Sequence, residues 1–213
     1  MDVVKVGGSL MDIARDVMEE LKGWDALIVP GGGIFADVVR DVYKEHVLSE
    51  GTAHSMAIAA MDQYGRFLAD ISGVKTTDSL SDVATPCVFL PYHVYSKSSA
   101  LEPSWDVTSD TIGCHVAKEV GADRFIILTD VNGVYIDGRL VPVISAQELS
   151  TLGTTCIDSA LPRYLKEYCI DCLVVNGKDF KGIRSGRREN YEKKPGDIES
   201  GSRNGIGTLI LGR

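Results

Sequence analysis

Several signatures that would settle a function class are missing from this sequence. No stretch approaches the roughly 18 consecutive apolar residues that a membrane-spanning helix requires, so a transmembrane class is excluded. Positive charge is in deficit, with 22 Lys and Arg against 30 Asp and Glu and a net charge of -8. A field of that sign opposes polyanions, which argues against nucleic acid and membrane surfaces as partners. An anionic substrate must therefore find a local basic pocket. The five cysteines, Cys87, Cys114, Cys156, Cys169 and Cys172, are odd in number and scattered. They do not form a secreted disulfide framework and are expected to be reduced and mostly buried. Cys169 and Cys172 make the single CxxC, without the second pair or spaced histidines that a zinc site would add. HExxH, EF-hand loops and Asn-x-Ser/Thr acceptors are absent, as are GxxxxGK[ST] and GxGxxG, so the signatures of P-loop kinases and dinucleotide-binding dehydrogenases are missing. With no basic, apolar and small-residue leader pattern at the start, a cytoplasmic location is expected.

What is present fits a packed globular chain. The 213 residues are 44% hydrophobic and 24% charged, close to the average for a folded domain and sized for one domain, or two lobes sharing one core. Val3 to Val6 reads as a short buried strand, broken by Gly7-Gly8-Ser9 and followed by Met11, Ala14, Val17, Met18 and Leu21 at helical spacing. Leu27 to Val29, then Pro30 and Gly31-Gly32-Gly33, then Ile34, Val38, Val39 and Val42 repeat the unit. A longer helix carries Met56 to Leu68, and Val88 to Leu90 is a further strand. Thr108 and Ser109 suit the cap of a helix that Gly121 ends. Phe125 to Leu128 is the clearest strand of the second half. Asn132-Gly133 and Asp137-Gly138 then suggest a β-meander. Asp158 to Tyr168 reads as a helix, and Leu173 to Val175 and Thr208 to Leu211 read as strands. This alternation argues for an α/β fold, a three-layer αβα sandwich around a mainly parallel central sheet.

Both glycine clusters fall at carboxyl ends of strands, where open α/β sheets bind ligands and helix N-termini offer free N–H groups. Gly7-Gly8 lets the backbone approach a phosphate, and Lys5 can place its ammonium beside the same oxygens. A plain tight turn followed by a surface lysine is the alternative. Three successive glycines at Gly31 to Gly33 cost backbone entropy, roughly 0.5–1 kcal/mol each against alanine. That expense suggests a second anion site facing the first.

Lys5-Val6-Gly7-Gly8-Ser9, Gly31-Gly32-Gly33, Ser109-Asp110-Thr111, Thr129-Asp130-Val131-Asn132-Gly133-Val134-Tyr135 and Gly207-Thr208 occur in the order of the amino acid kinase superfamily, which the chain resembles over nearly its whole length. Within it the chain looks most like a compact archaeal branch that includes the kinase of [5-(aminomethyl)furan-3-yl]methyl phosphate in methanofuran biosynthesis. That finer likeness rests on His54, on Ala60-Met61-Asp62-Gln63-Tyr64-Gly65, on Ser104-Trp105-Asp106-Val107-Thr108-Ser109-Asp110 and on the short length. The resemblance implies one domain over residues 1–213, with an acceptor-binding lobe at about 1–120 and a nucleotide-binding lobe at about 121–213. It implies transfer of the γ-phosphoryl group from ATP, with Mg2+ held mostly by the phosphates, to a small phosphorylated substrate that becomes a diphosphate. A homodimer or higher homo-oligomer is also implied.

The same resemblance assigns residues. Lys5 would neutralise the transferring group and Asp110 would align it, with a capping-region aspartate as the plain alternative. Gly7, Gly8, Ser9, Thr129, Asp130, Gly133, Val134, Tyr135, Lys178 and Lys181 would hold the nucleotide. Gly31, Gly32, Gly33, His54, Asp106 and Ser109 would hold the acceptor, although His54 also reads as a surface histidine at a helix start. His115, on an apolar-striped helix, is expected to have no catalytic role. One departure stands out. The family commonly has Gly-Gly-Met and a following lysine where this chain has Gly153-Thr154-Thr155-Cys156-Ile157-Asp158-Ser159. Substitutes could come from the basic segment that starts at Lys178 and Lys181 and runs on to Arg203. Competing readings are a carboxylate or isopentenyl phosphate kinase, a non-catalytic nucleotide-binding or storage protein, and nucleic-acid binding through the basic segment, which the acidic remainder disfavours. Lys5→Ala is expected to lower turnover with little loss of fold.

Overall fold

The computed structural model describes residues 1–153, 155–180 and 207–213. Strand β1 (Asp2–Val6) is buried along its whole length, as its unbroken apolar run around one lysine requires for a central parallel strand. A 3-10 turn (Gly8–Ile13) leads into helix α1 (Ala14–Leu21), and β2 (Ala26–Pro30) leads into α2 (Gly33–His46) and the long α3 (Glu50–Ser72). Ser49 caps α3 by accepting from the Thr52 N–H, and Gly73 closes it in the left-handed region, a conformation that costs glycine nothing. Next come β3 (Lys75–Thr77), β4 (Cys87–Phe89), the single turn α4 (Tyr92–Tyr95) and α5 (Ser109–Glu119). The second half contains β5 (Phe125–Thr129), β6 (Tyr135–Ile136), β7 (Arg139–Leu140), β8 (Val143–Ser145), α6 (Ala146–Leu149), α7 (Leu161–Tyr168), β9 (Cys172–Asn176) and β10 (Thr208–Leu211).

Eight strands form one sheet in the order β3-β4-β2-β1-β5-β9-β10-β8. The pairs from β3 to β9 are all parallel, whereas β10 runs antiparallel to β9 and parallel to β8. The α/β class and the mainly parallel sheet therefore stand as read from the sequence. Alternation along β1 sends Val3 into a core shared with α5 and α7, and Val4 and Val6 into a core shared with α1 and the second half of α3. Helices thus cover both faces, and α2 packs on α3 through Ala36, Val39 and Ala60.

Three local readings are corrected. The expected meander is a two-stranded hairpin, with Asp137 and Gly138 both at positive φ in its turn. The next segment, β8, joins the main sheet beside β10. Asn132-Gly133 makes no hairpin turn but precedes β6; a Cβ on Gly133 would fall 2.4 Å from Thr208 Oγ1, so glycine is needed where the hairpin base meets β10. The helix expected from Asp158 begins at Leu161, and Asp158 instead serves as a cap. Cys169 is exposed and its CxxC companion Cys172 is buried. No helix of the described residues is long and apolar enough to cross a membrane.

Candidate active site

Strand order reverses around β1. The chain moves from β1 to β2 on one side and later returns to pair β5 on the other. Such a reversal opens a crevice at the carboxyl ends of the strands. The loops that meet there follow β1 (Gly7 to Ser9), β2 (Gly31 to Gly33), β5 (Asp130 onward) and β9 (Gly177 onward).

Lys5 lies one residue before the end of β1, with its side chain against α5. Gly113 on that helix leaves the room, since a Cβ there would come within 3.0 Å of the Phe125 ring and 3.6 Å of Lys5 Cβ. Lys5 Nζ reaches Asp110 Oδ1 at 2.7 Å, and the two side chains are only 10% and 7% exposed. Asp110 Oδ1 has no other polar partner among the described residues. Asp110 Oδ2 accepts the Asp158 backbone N–H at 3.1 Å.

The Asp158 carboxylate in turn accepts from five donors. Oδ2 takes the Thr108 N–H, the Thr108 hydroxyl and the Thr111 N–H at 2.9, 2.9 and 3.0 Å. Oδ1 takes the Thr111 hydroxyl at 2.7 Å and the Leu161 N–H at 2.8 Å. One carboxylate thereby satisfies free N–H groups at the starts of both α5 and α7. Burial, and then the charge of Asp110, push its carboxyl above the usual range. Sequence reasoning missed this role. Cys156 lies in the same stretch, with Sγ 3.4 Å from Gly133 O. Burial, and then the Asp110 charge, push its thiol up to about 11, so at neutral pH it is protonated and not a nucleophile.

The two glycine loops touch backbone to backbone. A Cβ on Gly8 would fall 2.3 Å from Gly33 Cα, and one on Gly31 would fall 2.8 Å from Gly8 N. Gly33 itself has φ +54 at the first position of α2. Tyr64 fixes the first loop by donating its hydroxyl to Gly7 O at 3.3 Å. Gly8→Ala is expected to force the loops apart and cost about 1–3 kcal/mol of stability, with a larger fall in turnover than in thermal stability. Paired melting and steady-state rate measurements on that variant check it.

On the β2 side of this junction lies a cavity of about 490 Å³, lined by Lys5, Gly8, Ser9, Gly32, Gly33, His54, Thr108 and Ser109 among others. Of the expected acceptor residues, Gly32, Gly33, His54 and Ser109 line it, and Gly31 lies just behind, stacked on Gly8. Asp106 does not line it; its carboxylate accepts the Ser159 hydroxyl at 2.6 Å instead. His54 Nδ1 lies 3.2 Å from the Ser104 carbonyl oxygen. That acceptor fixes a proton on Nδ1 and leaves Nε2 to the cavity. Burial lowers the His54 pKa, partly offset by the same hydrogen bond. The sequence reading also overlooked Asp37, Arg40 and Trp105 in the cavity wall. His115 is core, as expected: its Nδ1 pairs with the Tyr95 hydroxyl at 2.8 Å, between the Tyr95 and Tyr168 rings.

The β5 and β9 side carries the other predicted set. Asp130 resists ionisation through burial, but hydrogen bonds from Ser9, its own backbone and Thr129, together with the Lys178 charge, bring its pKa below the usual value. Asn176 ties this corner together, donating to Asp130 O at 3.1 Å and Asn132 Oδ1 at 2.9 Å, while its Oδ1 accepts the Lys178 N–H. Val134 departs from the expected arrangement. It is 1% exposed, in the core, and its N–H bonds Thr208 Oγ1, so with Gly133 it anchors the hairpin and presents no side chain to a ligand. Tyr135 is exposed on β6. Lys181 lies outside the described residues, as does the basic segment beyond it.

A model of the amino acid kinase family matches residues 88–176. [5-(aminomethyl)furan-3-yl]methyl phosphate kinase from Methanocaldococcus jannaschii is 32% identical over 211 residues, covering 91% of this chain and 97% of its own. The chain belongs to the amino acid kinase family. An acetylglutamate kinase from Kosmotoga olearia is 35% identical over 109 residues, 50% of this chain and 36% of that protein. Uridylate kinase from Archaeoglobus fulgidus shares the fold at a TM-score of 0.69 and 18% identity, covering 99% of this chain and 100% of its own. UMP kinase from Bacillus anthracis does so at 0.68 and 17%, over 99% and 95%. These relatives are kinases, and this member of the amino acid kinase family is a phosphotransferase.

Where the family commonly has its second lysine, this member has the stretch around Asp158, which supplies hydrogen bonds and no cation. Among the described residues, Lys178 places its charge on Asp130 and Arg40 lines the cavity.

Proposed function

We propose that this kinase transfers the γ-phosphoryl group of ATP to a phosphomonoester, and that [5-(aminomethyl)furan-3-yl]methyl phosphate is the acceptor, giving its diphosphate. The observation that carries the reading is the buried Lys5–Asp110 pair at the contact of two glycine loops, with a separate cavity on the β2 side. Two phosphate groups brought end to end need such a junction: bare amides that approach closely, and one fixed cation between them.

In this reading a single domain has an acceptor-binding lobe at about 1–120 and a nucleotide-binding lobe at about 121–213. Gly7, Gly8 and Ser9, with Thr129, Asp130, Tyr135 and Lys178, receive ATP. Gly31 to Gly33, His54 and Ser109 receive the acceptor. An ionised phosphate oxygen of the acceptor attacks the γ-phosphorus, the bond to the β–γ bridging oxygen breaks, and ADP leaves with that electron pair. No proton has to move, so no general base is required. A hydroxyl acceptor would need one, and among the described residues the single carboxylate of the cavity wall, Asp37, is ion-paired with Arg40. Lys5 balances charge on the transferring oxygens, and Asp110 and Asp158 hold it in line. Mg2+ bound mainly by the phosphates adds charge neutralisation; Asp130 and Thr129 suit its outer ligands. A cytoplasmic homo-oligomer completes the proposal.

An ADP-release assay with ATP and a panel of acceptors tests it. Turnover is expected with phosphomonoesters, highest with the furan phosphate. Turnover only with N-acetylglutamate or another carboxylate would replace the reading with acyl-phosphate formation, and none with any acceptor would favour a binding or storage role.

A further inference from the structure

Among the described residues, Asp37 is the sole acid of the acceptor cavity's wall, which also carries Lys5 and Arg40. A carboxylate in a cavity that receives a dianionic phosphate repels it unless its charge is compensated, by Arg40 or by a cationic part of the ligand. Asp37 stands four residues after Gly33, on the same face of α2 and about 6 Å further along its axis. It therefore faces the part of a ligand that lies beyond a phosphate held at the helix start. Arg40 holds Asp37 Oδ1 at 2.6 Å, and its guanidinium carbon lies 5.7 Å from the centre of the Trp105 ring. Trp105 is packed in turn against Tyr43 at 5.4 Å. Asp37 Oδ2 takes no hydrogen bond among the described residues. An ionised carboxylate has about four lone-pair sites, so the pair with Arg40 leaves capacity for a second cationic donor while fixing the direction in which it is offered.

We infer that Asp37 binds an ammonium group of the acceptor, with Arg40 orienting it and Trp105 flanking the ring between the ammonium and the phosphate. The inference rests on the phosphomonoester reading and deepens it by assigning Asp37 as the residue that selects an amine-bearing acceptor.

The test compares wild type and Asp37→Asn with ATP and two acceptors, [5-(aminomethyl)furan-3-yl]methyl phosphate and the analogue with methyl in place of aminomethyl. The Asp37 side chain is 67% exposed, so the variant is expected to fold, and its melting temperature confirms that. Wild type is expected to prefer the amine in kcat/KM by about 10- to 100-fold, the worth of a charge-assisted hydrogen bond. Asp37→Asn is expected to erase the preference by slowing the amine-bearing acceptor alone. Equal loss on both acceptors, an unchanged preference in the variant, or no preference in wild type overturns the Asp37 assignment while leaving the phosphomonoester reading intact. Wild type that phosphorylates neither acceptor overturns the reading, and the inference with it.

Discussion

Lys5→Met is expected to lower kcat by about 10²- to 10³-fold, the usual consequence of removing one preorganised group that stabilises charge in the transition state. Methionine keeps the length and apolar stem of lysine and removes only the ammonium. KM for ATP should change much less than kcat, because a charge that matters most during transfer contributes little to ground-state binding. The structure alters the expectation for stability. Sequence reasoning placed Lys5 beside an open loop and anticipated little effect on the fold, but its side chain and that of Asp110 are 10% and 7% exposed. Removing one member of a buried pair strands the other charge, at about 3–5 kcal/mol. Urea denaturation should therefore show a lowered midpoint for Lys5→Met. The double variant Lys5→Met/Asp110→Asn, which strands no charge, should regain most of the stability and none of the activity. A double variant as unstable as the single one would show that packing, not charge, accounts for the loss.

Asp158→Ala is expected to be about as destabilising, roughly 3–5 kcal/mol, for a different reason. It leaves the Thr108, Thr111 and Leu161 N–H groups without their acceptor, and each buried unsatisfied donor costs about 1–3 kcal/mol. Turnover should fall as well, since the Asp158 carboxylate holds the start of α5, which carries Asp110. Asp158→Asn keeps the shape but replaces one acceptor oxygen with a donor. It should fall between wild type and alanine in both midpoint and kcat. A loss below about 1 kcal/mol for alanine would mean that water takes over the five bonds.

The parts of this molecule that were legible in the sequence share a local cause. Strands β1, β2, β5 and β9 are short apolar runs closed by glycine or a polar residue, and Thr108 is a capping threonine at the start of α5. The junction of glycine loops was readable because glycine density marks close backbone approach wherever it occurs. What escaped was set by partners far away in the chain. Asp158 meets Thr111 across 47 residues, and its own stretch has no periodicity to mark it, so it read as the first residue of a helix. Strand β3, Lys75-Thr76-Thr77, is an exposed edge with no alternation of polarity, and among the described residues β8 joins the sheet through β10. Asp37 and Arg40 lie on the polar side of α2, where a sequence reads only a solvated face; Trp105, which makes them part of a cavity wall, arrives from another loop. Asp106 is the converse case: its place in the sequence near the site suggests that it faces the acceptor, but its carboxylate is turned to Ser159.

The most direct test of the account is the identity of the phosphorus bond that is made. Phosphorus NMR of the protein with ATP, Mg2+ and [5-(aminomethyl)furan-3-yl]methyl phosphate should show the monoester resonance replaced by a coupled pair from a new diphosphate, in step with the appearance of ADP. A monoester signal that persists unchanged while ATP is consumed, or while the protein turns over a carboxylate acceptor, would contradict it.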